Sequence, residues 1–426
     1  MSVVFSPGVV QFAGAVIVCG VLIQVAILLA SSVRRLGYER EQRRHGLEAL
    51  RYQVEVLLAQ SHEEWERIEA SWNGFRKFEI LRKEQEIEGA HSFYLIPHDG
   101  KPLPPFMPGQ YLTFQLKIPN QPKPVIRCYS LSDSPGHWDH YRVSIKKVPP
   151  PRDKPDAPPG LSSSYFNDEL RVGDILDVKA PSGHFFLDTT VQTPVVLIGG
   201  GIGITPVLSM LNTICESGSK RETWFFLGIR NGDEHMMKEH LHRLDREHEN
   251  VHLMVCYSDP LENDVEGGDY QHAGWVGVDL FKRVLPSNNF EFYICGPPPM
   301  MESLTSGLGE WGVPERHVHF EAFGPATVKK AKTEEPPATD ASAMDVVFER
   351  SGKTLKWDAS FDNLLDFAEG HGIDIDSGCR AGNCGTCITA VKSGDVTYTI
   401  DHGAEPETGS CLTCVSVPKS NLSLDA

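Results

Sequence analysis

Three of the ten cysteines in this 426-residue chain stand within nine residues of one another. Cys379, Cys384 and Cys387 form C-x4-C-x2-C in the stretch SGCRAGNCGTC, and Cys411 and Cys414 follow. That spacing with one later cysteine suits a [2Fe–2S] cluster. Each iron completes a tetrahedron with two thiolates and two bridging sulfides, so four thiolates are needed. Gly378, Gly382 and Gly385 let the backbone fold tightly and aim N–H groups at the sulfurs. A zinc site would favour two C-x2-C pairs, and a disulfide cluster does not suit a reducing compartment. Spacing alone leaves Cys411 and Cys414 as rival fourth ligands.

A second group of residues suits nucleotide chemistry. Arg127-Cys128-Tyr129-Ser130 ends an apolar run. A guanidinium there can neutralise a phosphate with a forked contact, and Tyr129 offers an aromatic face. Gly160-Leu161-Ser162-Ser163 opens a short helical stretch, where N–H groups can meet a pyrophosphate or the serines can simply cap the helix. Ser144 and Lys146 lie on the run YRVSIKK, where Lys146 reads equally well as a solvated lysine. Gly199-Gly200-Gly201-Ile202-Gly203-Ile204-Thr205-Pro206 follows the apolar run PVVLI and opens a helix, the setting of a dinucleotide-binding turn. Cys295-Gly296-Pro297-Pro298-Pro299-Met300 ends the run FEFYI. Arg230, Asp233 and Glu234 follow TWFFLGI. Acids there favour a 2′-hydroxyl and hence NADH, whereas Arg230 could hold the 2′-phosphate of NADPH.

The elements that must carry these residues fall into segments. Residues 75–190 hold short β-rich runs with turn signals, which predict an antiparallel barrel. Residues 191–324 alternate apolar strands with helices, which predicts a parallel α/β sheet. Residues 325–343 read as a linker, and 344–426 as a small α+β unit opening with a hairpin at Ser351-Gly352. Residues 37–74 carry one apolar helical stripe, a stalk through which the chain could oligomerise. Val9 to Ala30 is a 22-residue run without charge, long enough at helical rise to span a bilayer. Arg34, Arg35, Arg40, Arg43 and Arg44 follow it. Residues 1–36 are therefore expected to be a single-pass anchor in the cytoplasmic membrane, with the remaining domains on the cytoplasmic side. The net charge of −17 excludes nucleic acid as a partner. His235, His240, His242, His248 and His252 crowd one charged stretch and read as a solvated helix face rather than a metal site.

Over residues 75–426 the chain resembles the ferredoxin reductase-type flavoprotein reductases that carry a C-terminal plant-type ferredoxin, as in reductase components of multi-component oxygenases. The resemblance rests on R-x-Y-S at 127–130, G-x-x-S at 160–163, G-G-G-x-G-x-T-P at 199–206, C-G-P-P-P-M at 295–300, Glu321-Ala322-Phe323-Gly324 and the cysteine loop. It implies an FAD-binding barrel, an NAD(P)-binding domain and a β-grasp ferredoxin. FAD rather than FMN is implied because G-x-x-S suits a diphosphate. Ser130 would hydrogen-bond the flavin N5, Thr205 would reach the nicotinamide amide, and Cys295 would lie beside the reacting atoms. Gly296, Pro297 and Met300 belong to the same nucleotide motif. Phe323 would cover the flavin until nicotinamide displaces it, and Glu321 would join Ser130 in a polar network. The family's L-x-C ending favours Cys414 as the fourth ligand. The N-terminal segment resembles, by architecture only, the anchored flavin subunit of sodium-translocating NADH:quinone reductases, whose domain order differs. The function expected is electron transfer from NADH through FAD and [2Fe–2S] to a membrane-associated oxygenase, hydroxylase or desaturase, with direct quinone reduction as the alternative.

Overall fold

A computed structural model describes Gly20, Gln24 and residues 71–72, 74–150, 155–321, 323, 344–378, 380, 382, 385–399, 404 and 406–426. The expected anchor and stalk, apart from Gly20, Gln24, Ser71, Trp72 and Gly74, lie outside the described residues, as do the linker, Cys379 and Cys384. Among the described residues no helix is long and apolar enough to cross a membrane. The chain divides into two compact units, Met1–Ile68 and Glu69–Ala426. All the described strands lie in the second unit.

Its first part is an antiparallel sheet of β1 (Arg76–Ile87), β2 (Ala90–Pro97), β3 (Tyr111–Leu116), β4 (Val125–Ser130), β5 (Tyr141–Lys146) and β6 (Ile175–Val178), ordered β4-β3-β6-β1-β2-β5. The ends of that order meet: Leu131, just after β4, bridges Val143 of β5, and Ser132 N–H donates to the Arg142 carbonyl at 2.9 Å. The sheet thus curls into a barrel, which removes its edges. Phe78, Phe93, Leu112, Phe114, Val143 and Phe166 fill it. A short helix, α1 (Leu161–Ser164), continues into one wide turn, Tyr165–Glu169, which brings Phe166 into that core.

The second part is the predicted parallel sheet. It contains β7 (Val195–Gly200), β8 (Thr223–Ile229), β9 (Val251–Tyr257), β10 (His272–Ala273), β11 (Glu291–Cys295) and β12 (Val318–Glu321), ordered β10-β9-β8-β7-β11-β12. Helices α2 (Ile204–Glu216), α3 (Lys238–Glu247), α4 (Val278–Val284) and α5 (Pro298–Glu310) supply the crossovers. Residues on both faces of β7 are buried, as a central parallel strand requires.

The histidine stretch corrects the reading of a solvated face. His235 precedes α3 and is buried, its Nδ1 2.8 Å from the Tyr257 hydroxyl. His240 Nε2 lies 2.7 Å from Asn212 Oδ1, and His252 stacks on Trp224 at 4.6 Å. Burial pushes His235 down to about 3 and His240 down to about 4. The charged neighbours Glu239, Arg243, Arg246 and Glu247 are exposed while the neutral imidazoles of His235 and His240 pack inward.

The third part comprises β13 (Asp345–Phe348), β14 (Lys353–Lys356), α6 (Leu364–Gly370), β15 (Ile388–Ser393), β16 (Val396–Tyr398), β17 (Ser410–Leu412), β18 (Ser416–Pro418) and β19 (Leu422–Leu424). Five of these strands form one sheet, β14-β13-β19-β15-β17, and β16 pairs with β18. Asn363 caps α6 by accepting from Asp366 N–H. Lys123 of the barrel pairs with Asp374 of this domain.

Candidate functional site

The ends of three strands build the centre. In the parallel register Cys295 lies opposite Gly199 on one side and Glu321 on the other. Ser130, at the end of β4, hydrogen-bonds Glu321 across the boundary between barrel and α/β sheet. Ser130, Cys295 and Glu321 are all buried. Burial pushes the Glu321 carboxyl up to about 8, with the Ser130 hydrogen bond acting the other way. One of its oxygens, Oε2, has no protein partner. Burial, and then the Glu321 charge, pushes the Cys295 thiol well up. At neutral pH the site therefore holds an acid and a thiol, both protonated. Phe323, two residues past Glu321, is 42% exposed.

On the barrel side, Tyr129 presents its ring edge-on to Phe114 and Phe166, with centroids 5.8 and 5.1 Å apart. Burial raises its phenol. Phe166 thereby ties the α1 segment to β4. The Ser163 hydroxyl donates to the Gly160 carbonyl at 3.0 Å and accepts from Val148 N–H at 3.1 Å. A Cβ at Gly160 would come within 2.8 Å of that hydroxyl and of Val148. The Ser162 and Ser164 hydroxyls are buried without partners. Buried hydroxyls are seldom left so, and the two orphans along this short helix leave donors for an oxygen-rich ligand such as a diphosphate. Ser164 was not marked by the sequence motif. Arg127 is exposed, and its Nη1 donates to the Ile126 carbonyl at 2.7 Å.

Like Ser163, whose hydroxyl serves Gly160 and Val148, two more residues expected at the flavin are engaged elsewhere. The Ser144 hydroxyl sits between those of Ser92 (2.7 Å) and Ser132 (2.9 Å), in a polar seam that closes the barrel. Lys146 Nζ lies 3.4 Å from Glu234 of the α/β domain.

On the nucleotide side, the glycines are required by close packing. A Cβ on Gly203 would lie 2.2 Å from the Cys295 carbonyl oxygen, and one on Gly200 would lie 2.6 Å from Met300 Sδ and 2.7 Å from Pro297. A Cβ on Gly296 would lie 3.1 Å from the Gly200 Cα. Gly201 instead has φ of +54° and open space on its Cβ side. The turn thus grips the Cys295–Met300 segment with Gly200 and Gly203, seats Gly199 against Ile204 of α2, and presents bare backbone at Gly201, a fit for a pyrophosphate at the start of α2. The Thr205 hydroxyl donates to the Ile202 carbonyl at 3.1 Å. Pro206 lies in the first turn of α2, where a missing N–H costs nothing. Arg230 Nη2 reaches Glu234 at 2.7 Å. Against its burial, the Arg230 hydrogen bond and the Lys146 charge hold the Glu234 carboxyl below the usual range.

In the C-terminal domain, Cys387 and Cys414 are buried with their sulfurs 3.1 Å apart. Cys414 lies in the turn Thr413–Val415, and the Thr413 N–H and hydroxyl both donate to the Cys387 carbonyl. Cys411 is on β17, where burial pushes its thiol up to about 11 against a hydrogen bond with Ser416. Arg380, Gly382 and Gly385 all have positive φ, the tight left-handed turns that the glycine-rich loop implied. The pairing of Cys387 with Cys414 fits two thiolates on one iron.

Three family models match this chain in order: an oxidoreductase FAD-binding domain over 94–187, an oxidoreductase NAD-binding domain over 197–306, and a 2Fe-2S iron-sulfur cluster binding domain over 347–419. A flavohemoprotein of Bacillus thuringiensis is 42% identical over 268 residues, 63% of this chain and 65% of that protein. One from Rhizobium meliloti is 38% identical over 64% of this chain and 67% of its own length. The chain thus spans about two thirds of the length of these relatives. The solved phthalate dioxygenase reductase, described as a modular structure for electron transfer from pyridine nucleotides to [2Fe-2S], matches 83% of this chain and 98% of its own, with 27% identity and a TM-score of 0.52. The FAD/NAD-binding domain of a Vibrio cholerae nitric oxide dioxygenase matches 59% of this chain and all of its own, with 29% identity and a TM-score of 0.53.

Proposed function

Because this chain belongs to the ferredoxin reductase-type oxidoreductases, with FAD- and NAD-binding domains and here a [2Fe–2S] domain, we propose that it takes reducing equivalents from NADH and hands them singly to a membrane-associated redox protein. The observation that carries this reading is the meeting of Ser130, Cys295 and Glu321 where the barrel joins the parallel sheet. When bound, FAD supplies the two-electron to one-electron conversion between nicotinamide and cluster.

The chain's own residues bind, orient and hold a proton. Arg127, Ser162 and Ser164 bind the flavin diphosphate, while Gly201 and the first turn of α2 bind the pyrophosphate of the nucleotide. Thr205 and Cys295 orient the nicotinamide, and Phe323 covers the flavin between turnovers. Glu321 keeps its carboxyl proton at neutral pH, with the Ser130 hydroxyl beside it. Arg230 is engaged by Glu234, which leaves it poorly placed to hold a 2′-phosphate and favours NADH. Cys379, Cys384, Cys387 and Cys414 hold the cluster. The run at 9–30 anchors the enzyme beside its acceptor, an oxygenase, hydroxylase or desaturase component. Because the anchor also gives access to lipid-soluble quinone, direct quinone reduction is the second reading.

Anaerobic mixing with NADH tests the scheme. The flavin should bleach first and the reduced-cluster EPR signal should follow. A flavin that NADH leaves oxidised would overturn it. Cys414→Ser should abolish the cluster signal and keep flavin bleaching, whereas Cys411→Ser should keep both. Removing residues 1–36 should spare ferricyanide reduction and sharply cut delivery to acceptors in washed membranes.

A further inference from the structure

Asp133 lies three residues past Ser130, in the loop between β4 and β5, and none of the motifs that mark the site includes it. It is buried, and both ends of it reach the α/β domain. Its backbone carbonyl accepts from the Ser209 hydroxyl at 2.6 Å, and its Oδ1 accepts from Asn212 Nδ2 at 3.1 Å. Ser209 and Asn212 are at most 1% exposed. They lie on one face of α2, the helix whose first turn carries the glycines and Thr205. Asn212 continues the contact to His240 of α3 at 2.7 Å. At the outer end of the same loop, His137 Nε2 lies 3.3 Å from Glu216, the last residue of α2.

Within the barrel, Asp133 is equally fixed. It accepts from Ser134 N–H at 3.0 Å, and Arg142 Nη2 lies 3.4 Å away. Arg142 Nε in turn donates to the Ser132 hydroxyl, which meets Ser144 and then Ser92. Against burial, His140, whose Nε2 lies 3.9 Å from Oδ2, and the Arg142 and His137 charges hold the carboxyl down at about 2. The joint therefore stays charged at any ordinary pH.

We propose that Asp133 is a positioning residue for hydride transfer, the bolt that fixes α2, and with it the nicotinamide-binding turn, against the strand end that carries Ser130. This rests on the functional reading above. Hydride transfer is steeply sensitive to the distance between two rings that are bound by two different domains. Among the polar cross-domain contacts of the described residues, Ser130–Glu321 lies at the centre, Lys146–Glu234 on one flank, His137–Glu216 at the far end of α2, and the Asp133 joint on the part of that helix that leads to the turn.

Asp133→Asn keeps the Oδ1 acceptor but removes the charge that faces Arg142, so the bonds that Oδ1 accepts from Arg142 and Asn212 weaken. Stopped-flow reduction at saturating NADH should slow by roughly 10-fold to 100-fold, with flavin content unchanged and the NADH dissociation constant within about 3-fold. Ser209→Ala should act in the same direction, less strongly. The double variant Asp133→Asn/Asn212→Asp, which reverses the donor and acceptor across the joint but leaves Arg142 without its carboxylate, should recover part of the lost rate. A second readout needs no turnover: amide hydrogen exchange on flavin-loaded, nucleotide-free protein should quicken across 204–216 while strands β1 to β3 keep wild-type protection. The proposal falls if the reduction rate is unchanged, if the double variant recovers nothing, or if exchange rises throughout the barrel as for a purely structural residue. If wild-type flavin is itself not reduced by NADH, the functional reading fails, and the exchange measurement still tests the joint.

Discussion

Two buried carboxyl groups flank the end of β4, and they are handled in opposite ways. Glu321 meets the uncharged hydroxyl of Ser130, with Oε2 left without a protein partner, and burial lifts it to about 8. Asp133 meets Arg142 and His140, accepts from Asn212 and from Ser134 N–H, and is held at about 2. Desolvation opposes the charged form of both; what separates them is whether a cation and N–H donors offset it. One carboxyl is thus a proton holder at the centre and the other a permanent anion at the joint. A site that brings two domains together needs both: a group whose protonation can change beside the chemistry, and one that cannot change where geometry is set.

The comparison breaks most severely if the cation is taken from the paired acid. Arg142→Met leaves Asp133 buried and uncompensated, so the protein should lose about 3–5 kcal/mol of stability in denaturant titration. Adding Asp133→Asn to that variant should recover at least half of the loss. If the single variant is as stable as wild type, the pair is not what holds Asp133 ionised.

The unpaired acid predicts a smaller, pH-dependent effect. Its folded-state value lies above its ordinary 4.5, so below that value it is protonated in both states and its contribution is fully present. Between there and about pH 8 the unfolded chain sheds the proton while the folded chain keeps it, and stability declines by up to roughly 1.4 kcal/mol for each pH unit. Glu321→Gln removes this slope, so the variant should gain on wild type from pH 5 to pH 8. Flavin reduction in the wild type should show an inflection near pH 8 that the variant lacks. Asp133 slopes the other way: its contribution holds at neutral pH and fades only as pH falls from its ordinary 3.8 towards about 2. Matching slopes in wild type and the Gln variant would mean that Glu321 ionises freely in the fold.

The two acids also differ in how far the sequence reveals them. Glu321 sits in a compact motif, E-x-F-G, and its link to Ser130 follows from the family resemblance. The glycine turn and the alternation of strands with helices are likewise local patterns, which is why the three-part architecture reads directly from the chain. Asp133 has no such signature. Its partners lie 9, 76 and 79 residues away, at Arg142, Ser209 and Asn212, and only barrel closure and domain packing bring them together. Ser144 shows the same effect in reverse, a serine on the expected strand whose hydroxyl serves the seam between Ser92 and Ser132. The histidines were misread because charged neighbours imply a wet helix face, whereas Tyr257 and Asn212 give His235 and His240 buried partners from other elements.

Glu234 extends the comparison to a third carboxyl, partly exposed and shared by two cations. Arg230 lies 2.7 Å from it and Lys146 3.4 Å from the same oxygen. A pair this accessible to water should contribute less than about 1 kcal/mol to stability, so Glu234→Gln should unfold almost as wild type does. Its effect should fall on nucleotide choice. Neutralising the acid releases a guanidinium and an ammonium at the end of β8, and a 2′-phosphate can then take the place of the lost carboxylate. The ratio of kcat/KM for NADPH to that for NADH should rise about 10-fold, mainly through a lower KM for NADPH. Lys146→Gln, which leaves Arg230 held by Glu234, should not produce that rise. If Glu234→Gln leaves the ratio where it was, Arg230 does not face the nucleotide, and the pair serves only to tie the barrel to the α/β domain.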